Sequence, residues 1–179
     1  MIGEIRDRET AEMAVQAALT GHLVIATLHT NDAPSAITRL LELDIPSYLL
    51  KATVLGVMAQ RLVRTLCPHC KQPAATDSLG WQQLIAPWRA ESPKQVYSAE
   101  GCLECRNTGF YGRQGIYEVL TIDDAVKGMI NNDMNLAGLR QAAVKGGMKT
   151  LRLSGAQKVA AGETTITEVM RVAPSAQSN

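Results

Sequence analysis

Apolar residues recur at helical spacing over much of this chain. In Glu9–Thr20, alanine, valine and leucine fall on one helical face, and Gly21 follows where a helix commonly ends. Asp32 is a typical N-cap residue, and Pro34 fits the first turn behind it. The pattern therefore predicts helices over the following segments: Glu9–Thr20, Asp32 to about Leu43, Pro46–Arg64, Asp123–Asn131, Leu136–Lys145, Thr150–Ala161, and a last helix from Thr165 with capping-box spacing to Glu168.

Two short apolar runs have the character of strands. Leu23–Leu28 is apolar almost throughout, as in a strand of a parallel sheet that is buried on both faces. Gly115–Leu120 is a second candidate strand. A buried strand between two helices is typical of an α/β fold, and α/β is the fold class that the sequence predicts.

Composition narrows the kinds of function. The chain of 179 residues is 46% hydrophobic but only 4% aromatic, and its formal net charge of +1 gives no broad positive surface for nucleic acid. The longest apolar runs are far shorter than the roughly 20 residues that span a bilayer. The first residues, Met1–Asp7, lack the charged and apolar regions of a signal peptide. We therefore expect a cytoplasmic chain.

Four cysteines form two Cys-x-x-Cys pairs, and the chain has no other cysteine. They are Cys67, Cys70, Cys102 and Cys105. Each pair can point two sulfurs at one spot, and four thiolates complete the tetrahedral shell that Zn²⁺ prefers. The alternatives are two disulfides, a thioredoxin-type pair, or four thiols without metal.

Four thiolates leave no open coordination position, so a zinc ion here is expected to be structural. The segment Cys67–Gly115 is rich in glycine and proline and has little periodicity. We expect this segment to melt on chelation while the helices within Asp123–Met170 are spared.

Acidic and histidine residues are concentrated in the first thirty positions. Glu4 follows Met1-Ile2-Gly3, and His22 and His29 bracket the apolar run Leu23–Leu28. Ligands of open α/β sheets bind beyond the carboxyl ends of the strands, which is where His29 is expected, beside the end of the strand that delivers Glu4. Acidic residues also favour helix N-termini, and His22 could be an ordinary boundary residue, so spacing alone leaves both interpretations open.

Several runs together resemble one known family, the secretion ATPases of type II secretion and type IV pilus assembly (the GspE/PilB group). The runs are Gly3–Asp7, Glu9–Ala11, Thr20–Val24, Thr27–Asn31, Ala59–Arg64, the two cysteine pairs, Gly109–Glu118 and Gly162–Thr165. They cover nearly the whole chain in the family's order.

The resemblance implies a role for each matching residue. Glu4 matches the Walker B glutamate, which acts at the Mg·ATP site, and His22 and His29 match histidine-box positions, with His29 the better candidate for sensing the γ-phosphate. The cysteines match a tetracysteine zinc element. The family further implies a partial RecA-like P-loop core, a homo-hexamer, inner-membrane platform and docking proteins as partners, and a place at the inner face of the bacterial inner membrane.

The sequence departs from this family at one point, because it contains no Gly-x-x-x-x-Gly-Lys-Ser/Thr loop. Gly146–Thr150 lacks the required glycines and is expected at a helix–helix junction. The chain thus looks like a C-terminal fragment that begins inside the Walker B strand, and alone it is expected to turn over no ATP. Its expected parts are residues 1–66 (ATPase core), 67–115 (zinc arm), 116–172 (helical subdomain) and 173–179 (flexible tail).

Two other functions compete with this one. A nucleic-acid-binding zinc ribbon is disfavoured, since the charges of Arg64–Gly115 nearly balance once four thiolates and a metal are included. A non-catalytic, zinc-dependent docking module overlaps with the ATPase reading. Arg61 and Arg64 would share one helical face, where they pair with acidic neighbours, dock against an adjacent subunit or remain solvated; the intrachain or solvated role is favoured.

Overall fold

We describe the chain from a computed structural model covering residues 1–173; the expected flexible tail falls almost wholly outside the described residues. The helices are α1 (Arg8–Leu19), α2 (Ala33–Glu42), α3 (Ser47–Thr53), α4 (Ser78–Ile85), α5 (Asp124–Met129), α6 (Leu136–Lys145), α7 (Leu151–Ala160) and α8 (Ile166–Val172). The strands are β1 (Gly56–Leu66), β2 (Gln72–Ala74), β3 (Val96–Ser98) and β4 (Phe110–Thr121). None of the helices within residues 1–173 is long and apolar enough to cross a membrane.

The chain divides into two compact units. The first unit combines Met1–Ala59 with Glu118–Met148, and the second combines Gln60–Tyr117 with the chain from Lys149 onward. The four-part division predicted from the sequence stays a prediction about functional parts.

The helices of the first unit begin where the sequence places their caps. Asp32 accepts a hydrogen bond from Ser35 N at 2.9 Å and thereby satisfies a free amide at the start of α2. Gly21 follows α1 with a φ of +91°, a conformation that glycine adopts without strain. Helix α1 packs on α3, and α6 on α2 and α5. The core residues with no exposed surface include Ile37, Leu50, Ile130 and Leu139.

The segment Leu23–Leu28 is not buried on both faces, so this part of the strand prediction is wrong. This segment is extended, but its regular pairing is a single parallel bridge between Ala26 and Ile2. Leu23 and Ile25 are 76% and 58% exposed. On the opposite face Val24, Ala26 and Leu28 are half-buried, so the described chain covers one face of the segment in part and leaves the other face open.

The prediction of a helix over Pro46–Arg64 is also wrong. Helix α3 ends at Thr53, and β1 follows. Strand β1 pairs with β4, with Leu55 O accepting from Ile122 N and Gly109 O from Cys67 N, which makes the pair antiparallel. The apolar residues of β1 fit the period of a helix as well as that of a strand, and the pairing with β4 stabilises the strand. Arg61 and Arg64 therefore do not share a helical face, because residues three apart on a strand point to opposite sides.

The second unit contains more regular structure than the glycine- and proline-rich sequence suggests. Strands β2 and β3 pair antiparallel with Gln72 opposite Ser98, and α4 packs on α7 and α8. Trp81 and Leu84 are the buried residues that hold α4 in this packing. These elements are too short for the periodicity to be visible in the sequence. As predicted, Gly146–Thr150 is a junction between helices α6 and α7.

Candidate functional site

Parallel pairing brings Glu4 beside the end of the extended segment that leads to His29. Ile2 N donates to Ile25 O at 2.8 Å, and Ile5 N donates to Thr27 O at 2.9 Å. Two parallel segments in register present their carboxyl ends at the same edge. Glu4 and His29 therefore lie at one edge, as expected from the sequence.

Glu4 contacts both a histidine and an arginine. His29 Nε2 lies 2.8 Å from Glu4 Oε1, and Arg6 Nε donates to Glu4 Oε2 at 2.7 Å. The hydrogen bond from Arg6 lowers the pKa of Glu4 below its ordinary value, against partial desolvation and with a smaller contribution from the charge of His29. The carboxylate is thus ionised at neutral pH. An ionised carboxylate beside an imidazole can orient and activate a water molecule.

The structure gives His22 local contacts at the end of α1. Its Nδ1 lies 3.1 Å from Thr20 Oγ1 and 3.2 Å from Ala17 O, and its side chain is exposed. These contacts account for His22 as a residue that finishes a helix, and its role toward a nucleotide stays a prediction.

A charged network at the start of α2, a few residues beyond His29, was missed in the sequence. Asp32 Oδ2 accepts from Arg140 NH2 at 2.6 Å and from Arg140 Nε at 3.1 Å. Glu118, only 4% exposed, accepts from Ala33 N at 2.9 Å. The sequence carried one signal of this burial, because Glu118 lies two residues from both Ile116 and Leu120 and therefore shares their buried face of β4.

The four cysteines converge as predicted. Their sulfurs lie within 4.8 Å of one another, with 3.9 Å between Cys67 and Cys102, 3.8 Å between Cys70 and Cys105, and 3.7 Å between Cys102 and Cys105. A tetrahedral shell with Zn–S bonds of about 2.3 Å has edges of about 3.8 Å. All four are free thiols, so the disulfide alternative is wrong. The cluster fits one metal ion.

Backbone amides support the sulfurs. Gly101 N donates to Cys70 Sγ at 3.3 Å, and Cys105 Sγ accepts from Cys102 N and Gly109 N at 3.2 Å each. Burial raises the pKa of the Cys70 thiol to about 12. For Cys105 burial acts in the same direction, but the hydrogen bonds from the two amides and from the Cys102 and Cys70 thiols together outweigh it and lower the pKa to about 6. Such outer hydrogen bonds orient metal ligands, and a bound cation would stabilise the remaining thiolates.

The cysteine cluster is tied to the turn between α7 and α8. Leu66 N, directly before Cys67, donates to Glu163 O at 2.8 Å. Lys71 Nζ, directly after Cys70, donates to Gly162 O at 2.8 Å and lies 4.6 Å from the ring centroid of Tyr97. The position of the first cysteine pair therefore depends on this turn.

Glu168 forms a second buried network, with partners other than those expected from the sequence. As predicted, Thr165 Oγ1 accepts from Glu168 N at 3.2 Å, but the Glu168 carboxylate does not complete a capping box. It accepts from Arg64 N at 3.0 Å, from Arg64 NH2 at 2.8 Å and from Arg171 NH2 at 2.8 Å. Arg64 thus makes an intrachain ion pair with an acidic residue, one of the three roles predicted for it.

The sequence over nearly the whole chain places it in one family of secretion proteins. The family model described as "Type II/IV secretion system protein" matches residues 1–171, and the chain belongs to this family.

The curated relatives include ATPases of both type IV pili and type II secretion. The type IV pilus assembly ATPase TfpB of Acinetobacter baylyi is 51% identical over 97% of this chain and 30% of that protein. The type II secretion system ATPase E of Vibrio cholerae is 45% identical over 96% of this chain and 34% of that protein. The chain spans about a third of the length of the curated relatives it matches.

Solved structures agree on the α/β fold. The pilus retraction motor PilT with bound ADP matches with a TM-score of 0.63 at 25% identity, over 98% of this chain and 39% of that one. The Yersinia pseudotuberculosis ATPase DotB matches with a TM-score of 0.62 at 21% identity, over 96% of this chain and 35% of that one, and shows the fold alone.

Proposed function

We propose that this chain is the C-terminal part of an ATP-hydrolysing motor that drives pilin or pseudopilin assembly. The observation that carries the proposal is the contact between Glu4 and His29 at 2.8 Å. Membership of the family and the ATPase names of the relatives support it.

In the proposed site Glu4 orients the water that attacks the terminal phosphate of Mg·ATP. Its ionised carboxylate is the right acceptor for a proton of that water, and Arg6 keeps it ionised. His29 is 88% exposed, so its ring is available to a phosphate group. We also propose a secondary role in the nucleotide site for His22, which lies at the opposite end of the extended segment, beside the end of α1. Phosphoryl transfer also needs backbone amides and a lysine around the phosphates, and the given sequence contains no Gly-x-x-x-x-Gly-Lys-Ser/Thr loop to supply them.

We propose that the four cysteines hold one structural Zn²⁺. The sulfur separations match a tetrahedral thiolate shell, and four sulfurs leave no position for a reacting water. The ion would close the second unit's loops, with no part in ATP chemistry.

The remaining proposals concern the whole protein. We infer a homo-hexamer that acts at the inner face of the bacterial inner membrane, engages platform and docking proteins there, and does not bind nucleic acid. The family match and the nearly neutral charge support these points. The chain alone is proposed to be inactive, because the sequence contains no phosphate-binding loop.

A chimera tests the proposal. This chain replaces the matching segment of Acinetobacter baylyi TfpB, and phosphate release is measured with and without Glu4→Gln. We expect turnover in the chimera, a loss of about 100-fold or more with Glu4→Gln, and no turnover by the isolated chain. The matched control is Glu12→Gln, which removes an exposed carboxylate paired with Arg8 on α1 and should leave the rate unchanged. Full activity of the Glu4→Gln chimera would refute the proposal.

A further inference from the structure

His29 lies on an irregular stretch between two anchored points. Before it, the extended segment ends with the hydrogen bonds to the Ile2–Ile5 backbone. After it, the chain runs only three residues to Asp32, where α2 begins. Whatever fixes Asp32 therefore limits where the His29 ring can lie.

Asp32 is fixed from a distant part of the same unit. Its two carboxylate oxygens have separate tasks, since Oδ1 accepts from Ser35 N at 2.9 Å and Oδ2 accepts two bonds from Arg140 on α6. The side chains of Asp32 and Arg140 are only 15% and 20% exposed. Two donors of one planar guanidinium converge on Oδ2, and together with the bond from Ser35 N to Oδ1 they fix the carboxylate in position and orientation.

Other contacts stiffen the same stretch. Thr30 Oγ1 donates to Asp32 O at 3.2 Å, and Arg140 NH2 lies 3.4 Å from Ser35 Oγ. Glu118 accepts from Ala33 N at 2.9 Å. The first turn of α2 is thus held by α6 through Arg140 and by β4 through Glu118.

We propose that Arg140 is a positioning residue for His29 and acts through its ion pair with Asp32. The pair holds the stretch between His29 and Asp32 so that the imidazole remains against Glu4. Its importance for turnover rests on the function proposed above, whereas its effect on the His29 ring does not.

The first experiment uses NMR on this chain, loaded with Zn²⁺. The chain has three histidines, so the His29 ring signals are separable, and His22 provides an internal reference. Asp32→Asn keeps a good N-cap acceptor for Ser35 N but loses the charge, so it removes the ion pair without removing the cap. Arg140→Ala removes the same pair from the other side, and Arg140→Lys retains the charge without the two-point contact.

We expect Asp32→Asn and Arg140→Ala to abolish the ring contact between His29 and Glu4, with the His22 signals unchanged. Arg140→Lys should restore part of the contact. The matched control is Arg39→Ala, which breaks an exposed ion pair with Glu42 on the same helix α2 and should leave His29 as it is. An unchanged His29–Glu4 contact in folded Asp32→Asn would overturn the proposal.

The second experiment measures turnover in the TfpB chimera. A displacement of about 1 Å in a catalytic group lowers the rate by up to about 100-fold, so we expect kcat to fall roughly 10- to 100-fold in Arg140→Ala. KM for ATP should change less than about twofold, because the phosphate-binding loop is untouched. An inactive unsubstituted chimera would refute the proposed function and leave the NMR result to decide the positioning role. An equal loss in Arg39→Ala would refute the positioning role.

Discussion

Glu168→Gln is the sharpest test of what stabilises the second unit. The Glu168 side chain is 1% exposed and is surrounded by donors from Arg64 and Arg171. Burial works against its ionisation, but the hydrogen bonds from Arg171 and Arg64 outweigh burial and lower the pKa from 4.5 to about 2. Glutamine retains the shape and one acceptor for Arg64 N, and it loses the charge.

The change in pKa sets the magnitude. A fall from 4.5 to about 2 corresponds to roughly 3 kcal/mol, at about 1.4 kcal/mol for each tenfold change in proton affinity. The arginine side chains are 44% and 58% exposed and can turn to water when their partner is lost, which reduces the cost. We therefore expect Glu168→Gln to lower the free energy of unfolding of the second unit by about 2–3 kcal/mol.

Urea unfolding followed by tryptophan fluorescence measures this loss. Both tryptophans, Trp81 and Trp88, lie in the second unit, so the signal reports that unit. Because the folded-state pKa is depressed, the stabilisation is complete above about pH 4.5 and is lost as the pH falls toward 2. The difference between wild type and variant should thus be constant from pH 5.5 to 8 and smaller at pH 4. The control is Glu91→Gln, an exposed position in the same unit.

A difference below about 1 kcal/mol at pH 7 would refute the reasoning. So would a difference as large at pH 4 as at pH 7, because it could not then arise from the ionised carboxylate.

Two further predictions concern the same unit. Removal of the metal with a chelator should expose the amides of Cys67–Gly115 to hydrogen exchange, and those of α7 and α8 with them, because these two helices belong to the same unit. Helices α5 and α6 should remain protected, so the expectation that all the later helices are spared is revised. Unchanged protection in α7 and α8 would contradict this prediction. Gly155→Ala should destabilise the unit by about 1–3 kcal/mol in urea, because the new methyl group would overlap Val169, whereas Gly128→Ala in α5 meets open space and should stabilise by up to about 1 kcal/mol; equal effects would contradict the packing argument.

Local signals in the sequence were sufficient for most helices and for the cysteine cluster. Caps such as Asp32 and Thr165 act over three residues, and a Cys-x-x-Cys pair is complete within four. Neither depends on distant parts of the chain. The α/β class follows from such local patterns. The convergence of the two cysteine pairs and the common edge of Glu4 and His29 join distant residues, and they were predictable from the four ligands that Zn²⁺ prefers and from the position of each residue at a strand end.

The errors lay where distant residues decide the outcome. The segment after Thr53 has apolar residues that suit either period, and its antiparallel partner β4, some fifty residues later, makes it a strand. The burial expected for Leu23–Leu28 depends on what packs against its two faces, which its own composition does not state.

Short-range chemistry could be inferred from the residues alone. It tells which residues cap helices, which thiols can share a metal, and which acidic and histidine groups stand at the end of a strand. The pairings of Asp32 with Arg140 and of Arg64 with Glu168 were decided by tertiary structure alone, across 108 and 104 residues. The physical reason is that an ion pair has no sequence period. A charged side chain carries the same local signal whether its partner is water or a distant residue, and only the packing of the chain excludes the water.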